Sequence, residues 1–281
     1  MKNTSKKTYR ELSNPYIAEV YSLIEGVCKK FGITCYLIGA QARDINLLES
    51  GIRPMRGTMD IDFAIMLQDM NTYENVFVEL INIGFRKTPM PYRLIYDKTD
   101  TVIDILPFGE IEEAGTVKFT EREVTLSVVG FKEVNEIAQD IQVGDLVIRV
   151  TPMEGIFILK LISWNEKPAD RAKDLEDLQF ILKNYFELNQ ERIYNEHTDC
   201  FEEIPEQSFQ LSAGARVLGR DMAEALKLSE QLRATIDKVL DQRLRGNLGR
   251  LSDFSSEYTD EQENLNQELI EQIVKGIGER I

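Results

Sequence analysis

A chain of 281 residues with 43% apolar content is long enough to bury a sizeable core and to hold more than one domain. Its net charge of −15 excludes wholesale binding of duplex nucleic acid through a basic face, while leaving room for a local basic groove. Cys28, Cys35 and Cys200 are odd in number and lack C-x-x-C spacing, which excludes a disulfide framework or a cysteine zinc site, and His197, the single histidine, argues against histidine-based nucleophilic chemistry and is expected at the surface.

In chain order, residues 1 to about 32 read as a polar tail and a first helix. The lysine-rich start lacks the apolar segment of a signal peptide and no later stretch reaches membrane-spanning length, so the expected location is the cytoplasm, with no membrane partner. Residues 33 to about 150 read as a mixed β/α unit. Within it, Tyr36-Leu37-Ile38-Gly39-Ala40-Gln41-Ala42-Arg43-Asp44 is a short apolar strand that ends at a glycine and runs into a helix, whose free N-terminal amides favour phosphate. Some 20 residues on, Thr58-Met59-Asp60-Ile61-Asp62-Phe63 opens a β-prone run to Leu67, and strand alternation puts Asp60 and Asp62 on one face. Acids are depleted from strands, so something should offset their charge; oxygen ligands of this kind suit Mg²⁺ or Mn²⁺. Thr101 to Gly109 is a second apolar run, with Asp104 at its centre. Arg43, Arg53 and Arg56 form a basic cluster near these acids.

Strands are expected within 124–131 and 146–150, flanking a helix or loop. Thr151 to Glu154 has capping-box spacing with proline at the first helical position, and predicts a helix towards Trp164. Lys160 is the only charged residue from Gly155 to Trp164, beside an apolar stripe of Met153, Ile156, Phe157, Leu161 and Trp164; a lysine so placed wants an anion or a route to solvent. The run Pro168 to Leu178 predicts a helix with Leu175, Leu178, Leu182 and Tyr185 facing a core. Its charges are spaced for surface pairs of Asp170 with Lys173 and of Lys173 with Asp177. Beyond about residue 186 the pattern is helical, with residues 201–210 as a connector and a last helix from Thr259, whose Gln262 completes capping-box spacing. Gly214 to Asp221 mimics P-loop glycine spacing but carries arginine and aspartate where lysine and serine or threonine belong, so Ala213, Gly214, Ala215 and Gly219 are expected to permit close helix packing, with Arg216 or Arg220 at the surface. Arg243, Arg245 and Arg250 form a second basic cluster.

A strand, a glycine turn, a helix, then T-x-D-I-D-F and a third strand aspartate resemble the DNA polymerase β-type nucleotidyltransferase superfamily, and within it the minimal and AbiEii-like (abortive-infection toxin) nucleotidyltransferases, over about residues 33–185. The resemblance implies an α+β fold: a nucleotidyltransferase-type mixed β-sheet core flanked by helices, with a helical C-terminal region. It divides the chain into a catalytic core at 1–150, helices completing the active site at 151–185 and a helical domain at 186–281. It implies transfer of a nucleoside monophosphate from an NTP to an acceptor hydroxyl. Asp60, Asp62 and Asp104 are then the catalytic and metal-binding acids, binding Mg²⁺ or Mn²⁺ and the triphosphate, with Asp104 activating the acceptor. Gly39, Ala40, Arg43, Thr58, Lys160, Arg171, Lys173 and Asp174 are then nucleotide-binding, Asp174 completing the site. Ala40 departs from the glycine or serine usual in the family, which removes a serine hydrogen bond to phosphate. By resemblance the acceptor is the 3′ end of a tRNA or other RNA, with an antitoxin protein as a partner. A small aminoglycoside-like molecule, a protein hydroxyl and a catalytically silent nucleotide-binding module stay open as alternatives. The Gly39 to Asp44 stretch also faintly resembles the CCA-adding enzymes, without their further motifs.

Overall fold

The computed structural model describes residues 3–4, 16–52, 60–204, 206–246 and 260–281. The chain divides into two compact units, Met1–Pro152 and Met153–Ile281. Thr58, Arg53, Arg56, Arg250 and Thr259 lie outside the described residues, as do the side chains of Arg243 and Arg245.

The first unit is built on strands β1 (Asn3–Thr4), β2 (Cys35–Ile38), β3 (Ile61–Leu67), β4 (Phe85–Lys87), β5 (Arg93–Tyr96), β6 (Thr101–Gly109), β7 (Thr116–Phe119), β8 (Val124–Ser127), β9 (Gln139–Val143) and β10 (Leu146–Val150), with helices α1 (Ile17–Lys30), α2 (Gly39–Glu49), α3 (Met70–Asn82) and α4 (Phe131–Ile137). Eight strands form one mixed sheet in the order β1-β9-β10-β2-β3-β6-β5-β4, and β7 and β8 make a separate hairpin. At the centre of the large sheet β2 and β3 are antiparallel, β3 and β6 parallel, and β6 and β5 antiparallel.

Alternation decides which side chains face helices. Phe63 and Tyr21 of α1 place their rings 6.0 Å apart, and the other face is filled by Tyr36, 5.7 Å from Phe108, whose ring in turn meets Phe131 of α4. The Tyr36 hydroxyl donates to the Phe131 carbonyl at 2.8 Å, which satisfies the one polar atom this buried ring carries. On β6 the odd positions Ile103 and Ile105 are fully buried, whereas Val102, Asp104 and Leu106 are half-buried, so the acid sits on the more open side. Asp69 caps α3 by accepting from the Thr72 amide at 2.7 Å.

The second unit is helical: α5 (Met153–Glu166), α6 (Ala172–Leu188), α7 (Gln190–Glu196), α8 (Phe209–Leu226), α9 (Glu230–Gly246) and α10 (Asp260–Gly278), with 3₁₀ turns at Thr198–Glu203 and Glu206–Ser208. The glycines of the P-loop mimic lie inside α8 and serve packing, as the sequence predicted. A Cβ on Gly219 would stand 2.2 Å from the Ile273 carbonyl of α10, and one on Gly214 would stand 3.0 Å from the Phe186 amide of α6. Arg216 and Arg220 are not at the surface: each is 5% exposed. The sequence hides the reason, because the residues that neutralise them come from other segments. Arg216 Nε donates to Glu279 at 2.9 Å, and Arg220 donates to Asp199 at 2.9 Å and to Glu279 at 2.6 Å. His197, also expected outside, is buried, with Nδ1 3.0 Å from the Arg220 guanidinium. Burial and then the neighbouring Arg192 charge push its pKa below the ordinary histidine value. No helix among the described residues is long and apolar enough to cross a membrane.

Candidate active site

The three strand acids meet through register. Ile38 of β2 pairs with Asp62 of β3, Asp62 pairs with Asp104 of β6, and Asp104 pairs with Arg93 of β5, so four adjacent strands carry one row across the sheet. Directly paired residues point to the same side, which sets the Asp62 and Asp104 side chains next to each other. Asp60 stands exposed, one residue before β3. Its charge acts on the Arg93 guanidinium, so it too belongs to this end of the sheet.

Gly39 closes the row at its other end. It is the first residue of α2, at a φ of 69°, and a Cβ on it would lie 2.3 Å from Asp62 Oδ2. Only glycine combines that left-handed backbone with no side chain, so the carboxylate of Asp62 can lie directly against the start of α2. The N-cap residue of α2, Ile38, supplies no side-chain cap and the first turn holds no acid, so the positive end of the helix dipole lies beside Asp62. Ala40 is half-buried in the same first turn. Arg43 is buried further along and pairs with Asp44 at 3.0 Å.

Arg93 is the residue the sequence reading missed. Its Nε and Nη2 donate to the two oxygens of Asp104 at 2.6 and 2.8 Å, a fork matched to a carboxylate. The hydrogen bonds it donates to Asp104 raise the Arg93 pKa further above its ordinary value, against the opposing effect of burial. The one available signal is Arg93 at the head of the short β-prone run Arg93-Leu94-Ile95-Tyr96.

The donor set fits a hard divalent cation in kind, since carboxylate oxygens are its preferred ligands. Asp60 and Asp62, two residues apart beside an uncapped helix start, are the ligands best placed to take one. Among the described residues, however, no group of three His, Cys, Asp or Glu side chains converges closely enough to hold a metal ion. At Asp104 the Arg93 fork takes one lone pair of each oxygen and leaves the other on each.

The sequence matches the family described as nucleotidyl transferase AbiEii toxin, type IV toxin–antitoxin system, over residues 47–255. The chain belongs to the AbiEii nucleotidyltransferase toxin family. It is thus a nucleotidyltransferase, and Asp60, Asp62, Asp104, Lys160 and Asp174 all lie inside the AbiEii match, with Gly39 just ahead of it. No curated protein matches the sequence. Among solved structures, similar chains include ANT(2″)-Ia in complex with adenylyl-2″-tobramycin, at 12% identity and a TM-score of 0.40, covering 80% of this chain and 97% of that one. An antigenic nucleotidyltransferase-like protein from Paracoccidioides brasiliensis matches at 15% identity and a TM-score of 0.40, covering 80% and 94%. The Thermotoga maritima CCA-adding enzyme complexed with tRNA matches at 16% identity and a TM-score of 0.33, covering 97% and 72%. Family membership rests on the AbiEii match.

The remaining sequence-predicted residues lie in the helical unit. Lys160 of α5 finds its anions on α6: Nζ is 2.6 Å from Asp174 and 2.7 Å from Asp177. Burial alone would lower its pKa, and the two carboxylates outweigh burial and raise it. Arg171 reaches Asp174 at 3.5 Å, largely exposed. Lys173 is exposed and makes no ion pair with a described residue, so the expected pairs of Lys173 with Asp170 and Asp177 are absent; Asp177 turns inward to Lys160 instead.

Proposed function

We propose that this AbiEii-family enzyme transfers a nucleoside monophosphate from an NTP to the hydroxyl of an RNA acceptor, using Mg²⁺ or Mn²⁺ held by Asp60 and Asp62. The observation that carries this reading is the row Ile38, Asp62, Asp104 across three adjacent strands, with Gly39 at the start of α2 lying against Asp62, which sets two carboxylates beside a helix N-terminus. A bound cation would neutralise the triphosphate charge and stabilise the leaving oxygen. The acceptor oxygen attacks the α-phosphorus, the bond to the β-phosphate breaks, and pyrophosphate leaves. Asp104 takes the acceptor proton, and Arg93, bound to both of its oxygens, orients it for that role. The backbone start of α2, kept open by Gly39, receives phosphate oxygens. Arg43, Ala40 and Thr58 extend the nucleotide site in this reading, and Lys160, Arg171, Lys173 and Asp174 are proposed as nucleotide-binding residues of the helical unit. The family description as a type IV toxin–antitoxin member supports an antitoxin as partner.

The test is incubation of the full chain with Mg²⁺, each α-labelled NTP in turn and total RNA, beside an Asp60→Ala, Asp62→Ala double variant. Label in RNA that requires both aspartates is expected. Label in protein, or in an added aminoglycoside and not in RNA, would replace the acceptor. Label unaffected by the double substitution would remove the acids from the site.

A further inference from the structure

A cavity of about 480 Å³ opens in the first unit between α3, the β4–β5 segment and the turn after β7. Its floor is aromatic: Tyr73 lies 4.6 Å from Phe77 and 5.5 Å from Phe119, ring centre to ring centre. Its rim is basic. Lys87, Lys118 and Arg122 line it and are exposed, and the inner wall is Arg93, the side chain that holds Asp104. Among the lining residues Glu74 is the one carboxylate. Lys87 and Arg122 make no ion pair with a described residue, and Lys118 reaches only Glu113, at 3.5 Å in an exposed pair.

Lys87, Lys118, Arg122 and Arg93 meet Glu74 across the cavity, with Glu113 paired to Lys118 and Asp104 to Arg93, so the rim keeps a positive charge, carried by Lys87 and Arg122, in a chain that carries −15 overall. Such a patch draws polyanions and repels polycations. An apolar aromatic floor under a basic rim is the pairing that accepts a base and neutralises its phosphates, and the volume lies within the roughly 300–1,000 Å³ of pockets that enclose organic ligands. One wall residue, Arg93, joins this cavity to the acid that receives the acceptor proton.

We propose that this cavity is the acceptor site and that it takes the terminal nucleotides of a single-stranded RNA, with Lys87, Lys118 and Arg122 on the phosphates and Arg93 setting the strand end against Asp104. The same charge pattern disfavours a polycationic aminoglycoside. The assignment deepens the function proposed above and rests on it for the transfer step alone, because binding is measured separately.

The experiment is fluorescence anisotropy of a labelled single-stranded RNA dodecamer with the full chain in EDTA, wild type against Lys87→Glu, Lys118→Glu, Arg122→Glu. In parallel, the thermal shift given by NTP with Mg²⁺ is read on both proteins. The proposal expects RNA affinity to fall at least about tenfold and the slope of log affinity against log salt to shrink by about two, with the NTP shift retained. The three residues are exposed, so folding is expected to survive; the milder Lys87→Gln, Arg122→Gln pair repeats the test if it does not. Unchanged RNA affinity and salt slope would overturn the proposal, as would tobramycin binding, by calorimetry, that the glutamates strengthen and that exceeds RNA binding in the wild type. Lost RNA affinity in a chain that transfers no labelled nucleotide would keep the cavity and sink the transfer reading, and label reaching RNA with unaltered affinity in the variant would do the reverse.

Discussion

At the scale of single residues, the site depends on side chains that are absent or doubly used. Gly39 is constrained twice, by its φ of 69° and by the 2.3 Å that would separate a Cβ from Asp62 Oδ2. Gly39→Ala therefore has to move either the start of α2 or the Asp62 carboxylate. The expected result is a stability loss of about 1–3 kcal/mol in urea unfolding together with a fall in transferase activity larger than that loss explains. An alanine variant with full activity would show that the close approach is dispensable. Asp62 and Gly39 were legible as candidates because a D-x-D in a strand and a glycine at a strand end both run against local propensity. Arg93 was not, because nothing in four residues of short strand tells that its partner sits 11 positions on.

At the scale of elements, α5 carries Lys160 and Glu154, whose partners on other helices no local pattern reveals. Lys160, whose side chain is 20% exposed, is held between Asp174 and Asp177 on α6. Lys160→Met leaves two carboxylates facing each other at a largely buried position without their cation. It should cost about 3 kcal/mol or more in urea unfolding, and Asp174→Asn with Asp177→Asn in the same chain should recover much of it. Glu154 of α5 accepts from the Tyr185 hydroxyl at 3.4 Å, near Asp221 and Arg192. Burial, and then the Asp221 charge, push its pKa up from 4.5 to about 7. The folded state thus binds this proton more tightly than the unfolded chain does. The stability it contributes is fully present below about pH 4.5 and is lost as pH rises towards 7, by about 3 kcal/mol across that window. Glu154→Gln should flatten this part of the stability–pH curve and leave the variant more stable than wild type at pH 8, measured by thermal unfolding across pH. An identical pH profile in the variant would place the carboxyl in solvent.

At the scale of the whole molecule, a charge of −15 sets self-repulsion against the compact state. Mg²⁺ with NTP, which binds the folded state and not the unfolded chain, should stabilise it. At a ligand concentration 100 times the dissociation constant, binding adds about 2.7 kcal/mol and raises the melting temperature by about 5 °C or more. The rise should vanish in Asp62→Ala, and a full rise in that variant would move the metal elsewhere. The two units differ in how their parts were read. In the first, the strands with a strong alternating pattern, β3 and β6, were foreseen, whereas β4 and β5, three and four residues long, carry too little pattern to register.

The sequence by itself determined the β/α character of the first unit, the glycine that opens α2, Asp62 on β3 with Asp60 just ahead of it, Asp104 on β6, and the helices of the second unit, because each follows from local propensity and period. It was also enough for the family, since the strand–glycine–helix and D-x-D motifs are local. Only the tertiary structure decided which strands are neighbours. Parallel pairing of β3 with β6 brings Asp62 to Asp104 across more than 40 residues of chain, and the antiparallel β5 adds Arg93. Only it supplied the anions of Lys160 and the buried partners of Arg216, Arg220 and His197. Charges are stable inside a protein when a countercharge arrives from a distant segment, and that arrival is set by packing rather than by any pattern within the segment itself.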